Sequence, residues 1–340
     1  IKLKNLLNLL RIQRNLQRER KITIKSCCVK IVDFDNAVIL IDKPVGRTSF
    51  EVISQLRRII GVKKIGHCGT LDKFASGLLV ACTGKASRLA RYFLESDKCY
   101  SGIIKLGVET DTYDLTGEVV AQKPFLHVTE DMLREAAKDF LGIIKQQPPS
   151  YSSLKIDGKR ASDRVRRGED ISLKSRDVTI YRFDIKEFSL STGEIFFEIE
   201  CSKGTYIRSI ARDFGIKLGT VAHLQSLRRE RSGNFRIEDA ETVDSIKTVV
   251  DSGEMGTFII NPTEALIDFG RVFVSDEAAS KISHGAFFTR GDVLSLELPF
   301  DSKPFVLLDG KGNLIAIADI DLDKWLIDYH MVFNSMTQPF

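Results

Sequence analysis

The apolar positions follow two periods along the chain. Residues 37–41 (AVILI) are a continuous apolar run closed by Lys43-Pro44-Val45-Gly46, which predicts a buried strand. Val52, Ile53, Leu56, Ile59 and Ile60 then recur at helical spacing. Thr48 and Ser49 stand ahead of them as N-cap candidates, and Gly61 is the predicted stop. Residues 66–77 read as a glycine-punctuated loop, Leu78 to Cys82 as a strand, and 85–94 as a helix. Further strands are expected at 99–106, 178–189 and 194–201. In the last of these Ile195, Phe197, Ile199 and Cys201 share one face. Helices are expected at 129–141, 159–167, 205–214 and 239–250, a linker at 251–263, and a small β-rich unit at 271–335. Strands and helices mix without a βαβ rhythm. The expected class is therefore α+β, with a mixed, mainly antiparallel sheet.

Charge changes this picture at one end. The 340 residues hold 50 Lys and Arg against 46 Asp and Glu, a net of +4. Residues 1–30 carry nine of the basic residues and one acid, Glu19, so the head is +8 and the remainder −4. Leu6, Leu7, Leu9, Leu10, Ile12 and Leu16 among these bases fit a basic amphipathic helix, a transit peptide, or an extension upstream of the folded domain. The last is taken here, with the fold beginning at Ala37. The chain begins at Ile rather than Met. Its six cysteines form no CxxC pair, which favours reduced thiols and argues against a zinc site. No apolar run approaches the length of a membrane span.

Four segments carry candidate chemistry. Gly66-His67-Cys68-Gly69-Thr70-Leu71-Asp72 presents a carboxylate and an imidazole on a loop. Asp72 suits a nucleophile, a general base or a simple turn cap. Cys201-Ser202-Lys203-Gly204-Thr205-Tyr206-Ile207-Arg208 spans a strand end and a helix start. Thr205 is its expected cap, and Arg208 is placed to meet a partly buried carboxylate. Tyr100 opens a strand and suits stacking on a base as well as core packing, with Asp111-Thr112-Tyr113-Asp114 following. The fourth segment, Gln146-Gln147-Pro148-Pro149-Ser150-Tyr151, leads through Lys155, Lys159 and Arg160 to Arg164, Arg166 and Arg167. It reads as a phosphate-contacting arm over about 145–170. Arg228, Arg229 and Arg231 form a second basic cluster.

Together these segments resemble the bacterial tRNA pseudouridine-55 synthases, the TruB family. The likeness runs through VILIDKPVGRTSFEVI, GHCGTLDKFASGLLV, SDKCYSGIIKLGVETDTYDLTGEVV, PPSYSSLKIDGKR, CSKGTYIRSIARDFG and AHLQSLRRERSGNF, over roughly residues 37–268. The resemblance implies Asp72 as the catalytic aspartate, Arg208 as its ion-pair partner, and Tyr100 as the aromatic that stacks on the target base. It implies substrate contacts by Tyr206 and Leu227, and His67 in the space left by the flipped base. It also implies a pseudouridine synthase core over 37–262 and a PUA-like RNA-binding unit over 263–340. The implied protein is a cytoplasmic monomer that takes the T-stem-loop of tRNA, with no metal and no cofactor. Lys73 stands where many members have Pro, and Ala161-Ser162-Asp163 where many have an aromatic.

The implied chemistry matches the residue types. The target uridine must leave its stack, at a cost of a few kcal/mol. The N1–C1′ bond then breaks and a C5–C1′ bond forms, with no redox change, and an arginine beside Asp72 favours its charged form. Two other functions are weighed: a guide-dependent rRNA synthase subunit, and a non-catalytic tRNA-folding chaperone. A carboxylate-dependent hydrolase is disfavoured, since no second acid stands at a suitable spacing.

Overall fold

The computed structural model describes residues 34–152, 155–156, 159–165, 167–169, 173–253, 256–297 and 304–333. The basic head up to residue 33 lies outside them, as do 153–154, 157–158, 166 and 170 of the basic arm. The chain opens with β1 (Val38–Lys43), α1 (Ser49–Ile60), β2 (Ile65–His67), β3 (Ser76–Thr83), α2 (Ala90–Glu95) and β4 (Lys98–Leu106). A hairpin of β5 (Val108–Thr110) and β6 (Val119–Gln122) leads to α3 (Glu130–Lys138) and β7 (Gly142–Gln146). The arm holds β8 (Lys155–Ile156), β9 (Lys159–Arg160) and α4 (Ala161–Val165), so the expected helix 159–167 is a hairpin strand and one short turn of helix. There follow β10 (Arg176–Ser189), β11 (Glu194–Cys201), α5 (Ile207–Lys217), β12 (Ala222–Ser232), β13 (Phe235–Arg236), α6 (Val243–Ser252), β14 (Ile259–Ile260) and α7 (Pro262–Ala265). The last elements are β15 (Gly270–Val274), α8 (Asp276–Ser283), β16 (Val293–Glu297), β17 (Phe305–Leu308), β18 (Leu314–Asp321) and β19 (Leu326–Val332).

The large sheet has the order β14-β1-β3-β12-β4-β11-β10-β7, with β2 added on β3 and β13 on β12. Every pairing in it is antiparallel except β3 with β12. The mixed, mainly antiparallel α+β sheet expected from the pattern is therefore present. β1 from Val38 to Ile41 and β3 from Leu78 to Cys82 are continuously apolar because both of their faces are covered. Ile39, Ile41, Leu79 and Ala81 pack under α1 and α6. Val38, Leu40, Leu78 and Val80 pack with Val306, Leu308 and Ile317 of the C-terminal sheet. On the other half of the large sheet, α3 and α5 cover β4, β10 and β11. There Phe140, Phe183, Phe197 and Phe214 meet at ring separations of 5.1–6.0 Å, contacts that add about 0.5–1.5 kcal/mol each beyond their burial.

α1 forms as its signals predict. Thr48 and Glu51 make a reciprocal capping box, and Gly61 ends the helix in the left-handed region at φ 69°. Two expectations change. Residues 251–263 are not a linker: Phe258 is fully buried and β14 pairs with β1 at the sheet edge. The core also reaches upstream of Ala37, because Phe34 is buried within it. The C-terminal sheet has the order β16-β15-β17-β18-β19, with β15 and β17 parallel.

The central strand β12 carried no apolar period in the sequence. Its inward positions are Ala222, Leu224, Leu227, Arg229 and Ser232, and register shifts near Gln225 and Glu230 break the alternation. The basic cluster there is not a free surface patch. Arg229 is 1% exposed and donates to the carbonyls of Leu78 and Gly69. Arg228 grips Asp42 with two hydrogen bonds, and Arg231 pairs with Glu200.

Candidate active site

The loop from His67 to Ala75 is pinned from below by the start of α1. Ser49 is 2% exposed; its Oγ accepts from the Leu71 N–H at 2.9 Å and donates to the Leu71 carbonyl. The Gly46 N–H donates to the Lys73 carbonyl at 2.8 Å. Asp72 is thus held by backbone contacts on both sides. From the far end of the sheet, Gln146, fully buried, clamps the entry to α5. Its Oε1 accepts from the Tyr206 N–H at 2.8 Å and its Nε2 donates to the Tyr206 carbonyl at 3.0 Å. Thr205 does not cap α5: its hydroxyl donates to the Ser202 carbonyl.

These two anchors bring Asp72 and Arg208 together. Arg208 Nε lies 2.9 Å from Asp72 Oδ2, off the N–H axis, and Nη2 donates to Oδ1 at 3.3 Å. Nη1 meets Asp114 at 3.3 Å and donates to the Thr112 carbonyl, while Nη2 also donates to the Tyr151 carbonyl. Arg208 is 5% exposed, so it is no surface residue. Asp114, 3% exposed, is a second carboxylate in the network to which the sequence reading gave no role. It also accepts from Thr112 Oγ1 and the Thr116 N–H, both at 2.9 Å.

Asp72, Tyr100, Tyr206, Arg208 and Leu227 all line one cavity of about 360 Å³, within the range of small-molecule pockets. Lys98, Arg176 and Arg229 also line it. The structure does not bring His67 there. It ends β2, opposite Ala81, with a buried Nδ1 that finds no partner among the described residues.

Burial pushes the Asp72 carboxyl above its ordinary range; Arg208 pulls it back, and Asp114 opposes Arg208. The expectation that Arg208 favours the carboxylate therefore captures one of two opposing effects. Burial likewise raises the Tyr100 phenol, so this side chain stays protonated near neutral pH. It lowers the His67 imidazole, and it lowers Lys43, beside Asp72, to about 8.

The signs of these shifts give a pH test. Arg208→Gln removes the cation that opposes burial, so the acid limb of kcat/KM moves to higher pH as the rate falls by about 10²-fold or more. Asp114→Asn removes a like charge, so its acid limb moves to lower pH. Parallel pH–rate profiles of the two variants check this; shifts of the same sign would refute the account.

The class follows from the fold. A protein chain in an H/ACA RNP bound to a substrate RNA containing 2′-deoxyuridine superposes with a TM-score of 0.67 at 25% identity, covering 90% of this chain and 86% of that one. A chain of a Cbf5-Nop10-Gar1 complex superposes equally well over 93% and 88%. Residues 57–207 match the model described as TruB family pseudouridylate synthase (N terminal domain). Residues 208–268 match the tRNA pseudouridylate synthase B C-terminal domain. Proteins named tRNA pseudouridine synthase B are similar over most of their length. That of Syntrophotalea carbinolica is 35% identical over 83% of this chain and 91% of its own. That of Clostridioides difficile is 38% identical over 84% and 94%. The fold is that of a pseudouridine synthase. Within that class the chain belongs to the TruB family of tRNA pseudouridine synthases, which are isomerases.

Proposed function

We propose that this chain isomerises uridine 55 in the T-loop of tRNA to pseudouridine, flipping the base into the cavity that holds Asp72. The observation that carries the reading is the Asp72–Arg208–Asp114 network at a cavity lined by two tyrosines and Leu227. In this role Tyr100 stacks on the uracil, Tyr206 and Leu227 bound the pocket, and Arg208 aims the ionised Asp72. The carboxylate acts on C1′, on the ring, or on a sugar proton; in each case N1–C1′ breaks, C5–C1′ forms, and a proton leaves C5 while N1 gains one. No electrons are gained or lost. His67 stands outside the cavity on the strand that feeds the Asp72 loop, a place suited to filling the gap left by the flipped base. The C-terminal sheet serves as a PUA-like RNA-binding unit over 263–340. On this reading the protein works as a cytoplasmic monomer on the T-stem-loop, and its four described cysteines are free thiols, as a reducing compartment requires.

Mass-spectrometric mapping of pseudouridine in an unmodified tRNA transcript tests this, with product expected at position 55 from the protein alone. The likeness to an H/ACA RNP chain keeps a guide-dependent reading in view. Product that forms only with added guide RNA or partner proteins would establish that reading instead.

A further inference from the structure

Four cations line the cavity, and three of them are spent. Arg208 faces two carboxylates. Arg229 donates to the carbonyls of Leu78 and Gly69. Lys98 donates to the Leu94 and Ser96 carbonyls at the end of α2. Arg176, at the start of β10, differs. It makes no ion pair among the described residues, whereas Arg208 has two; its Nε, like that of Arg208, is buried without a hydrogen-bond partner among them. One Nη donates to the Gly204 carbonyl, and the guanidinium lies 4.6 Å from the centroid of the Tyr206 ring.

That arrangement orients the guanidinium before any ligand arrives. Tyr206 is clamped through its backbone by Gln146, and the Arg176 plane rests against it. Gly204, at φ +81°, turns its carbonyl toward the guanidinium, which packs within van der Waals reach of it. A buried N–H donor without an acceptor is costly, so the orphaned Nε marks a missing acceptor. Uridine itself is neutral. The anions that enter the cavity with it are the phosphodiesters on either side, and the guanidinium fork matches a phosphate with two parallel hydrogen bonds.

We propose that Arg176 is a phosphate-binding residue that grips a phosphodiester adjoining the target uridine. This rests on the uridine-isomerase reading above and adds the backbone contact that positions the flipped nucleotide. The contact is charge-assisted, so losing it costs about 10- to 100-fold in KM or Kd.

The test is a cycle between protein and RNA. T-stem-loop RNAs carry one neutral methylphosphonate, either 5′ or 3′ of the target uridine. Each is assayed with the wild type, Arg176→Gln and Arg176→Lys. One of the two linkages is expected to weaken wild-type KM by about 10- to 100-fold while changing Arg176→Gln by no more than about twofold, the range for uncoupled sites. Arg176→Lys, which keeps the charge but not the fork, falls between them on unmodified RNA. A linkage that costs the wild type and Arg176→Gln equally would overturn the proposal and leave Arg176 as a brace for Tyr206. If Arg176→Gln does not fold, the wild type alone decides: no loss at either linkage overturns it. Absence of product from wild type on unmodified RNA would count against the isomerase reading, and the same cycle read as Kd would still score Arg176.

Discussion

Asp72→Asn is expected to abolish pseudouridine formation, lowering kcat by about 10⁴-fold or more, the range for loss of a residue that acts directly on the substrate. The fold should survive. The amide oxygen can still accept from Arg208 Nη2, and Arg208 keeps Asp114 and the carbonyls of Thr112 and Tyr151. The variant is also expected to be at least as stable as the parent at neutral pH. A carboxyl whose folded pKa is raised costs stability wherever it is ionised, and that cost fades as pH falls through the raised value. The parent should therefore gain on the variant as the solution is acidified toward pH 4. Single-turnover assays on stem-loop RNA, RNA binding, and denaturation at two pH values together check this. A folded variant with parental turnover would remove Asp72 from the chemistry.

Gly77→Ala is expected to destabilise the protein by about 4 kcal/mol or more, among the largest effects of a single substitution. Gly77 has φ +97°, and a Cβ there would lie 2.4 Å from the Arg229 carbonyl oxygen and 2.7 Å from its nitrogen. Both obstacles are backbone, so no side chain can swing aside. The position is the one parallel seam of the sheet, where β3 meets β12. Forcing these strands apart would also disturb Arg229, which holds the Gly69 carbonyl in the loop that carries Asp72. Gly61→Ala is the control: its φ is +69° but nothing stands within 4 Å of the added Cβ. It should cost only about 1 kcal/mol. Denaturant midpoints and soluble yield measure the difference, and equal costs at the two sites would refute the steric argument.

The residues explain how far the sequence could be read. The strands at 194–201 and 99–106, and the helix behind Thr48, were legible because one period and one set of caps dominate each. β12 was hidden because its inward face includes Arg229, whose burial depends on carbonyls contributed by Leu78 and Gly69, distant in sequence. The same distance hid Asp114: its role appears only when Arg208 arrives on another element. Lys98 and Gln146 are buried polar residues with polar neighbours in sequence, and nothing local marks them. Asp72, Tyr100, Tyr206, Arg208 and Leu227 were nameable through the family motifs, and they do meet at one cavity. His67 was nameable too, yet it lies beyond that wall.

The order of strands has a consequence for synthesis on the ribosome. β12 is among the last strands of the sheet to be made, yet it lies between β3 and β4, which are among the first. Until residue 232 has emerged, β4 presents an unpaired edge and β3 one covered only by β2 at Ala81–Thr83, and such edges template association between nascent chains. Asp72 and Arg208 are separated by 136 positions along the chain, so their pairing belongs to the slow, long-range part of folding. A ribosome paused before β12 would therefore hold Asp72 on an unfinished sheet, with two incompletely paired strands in need of a chaperone.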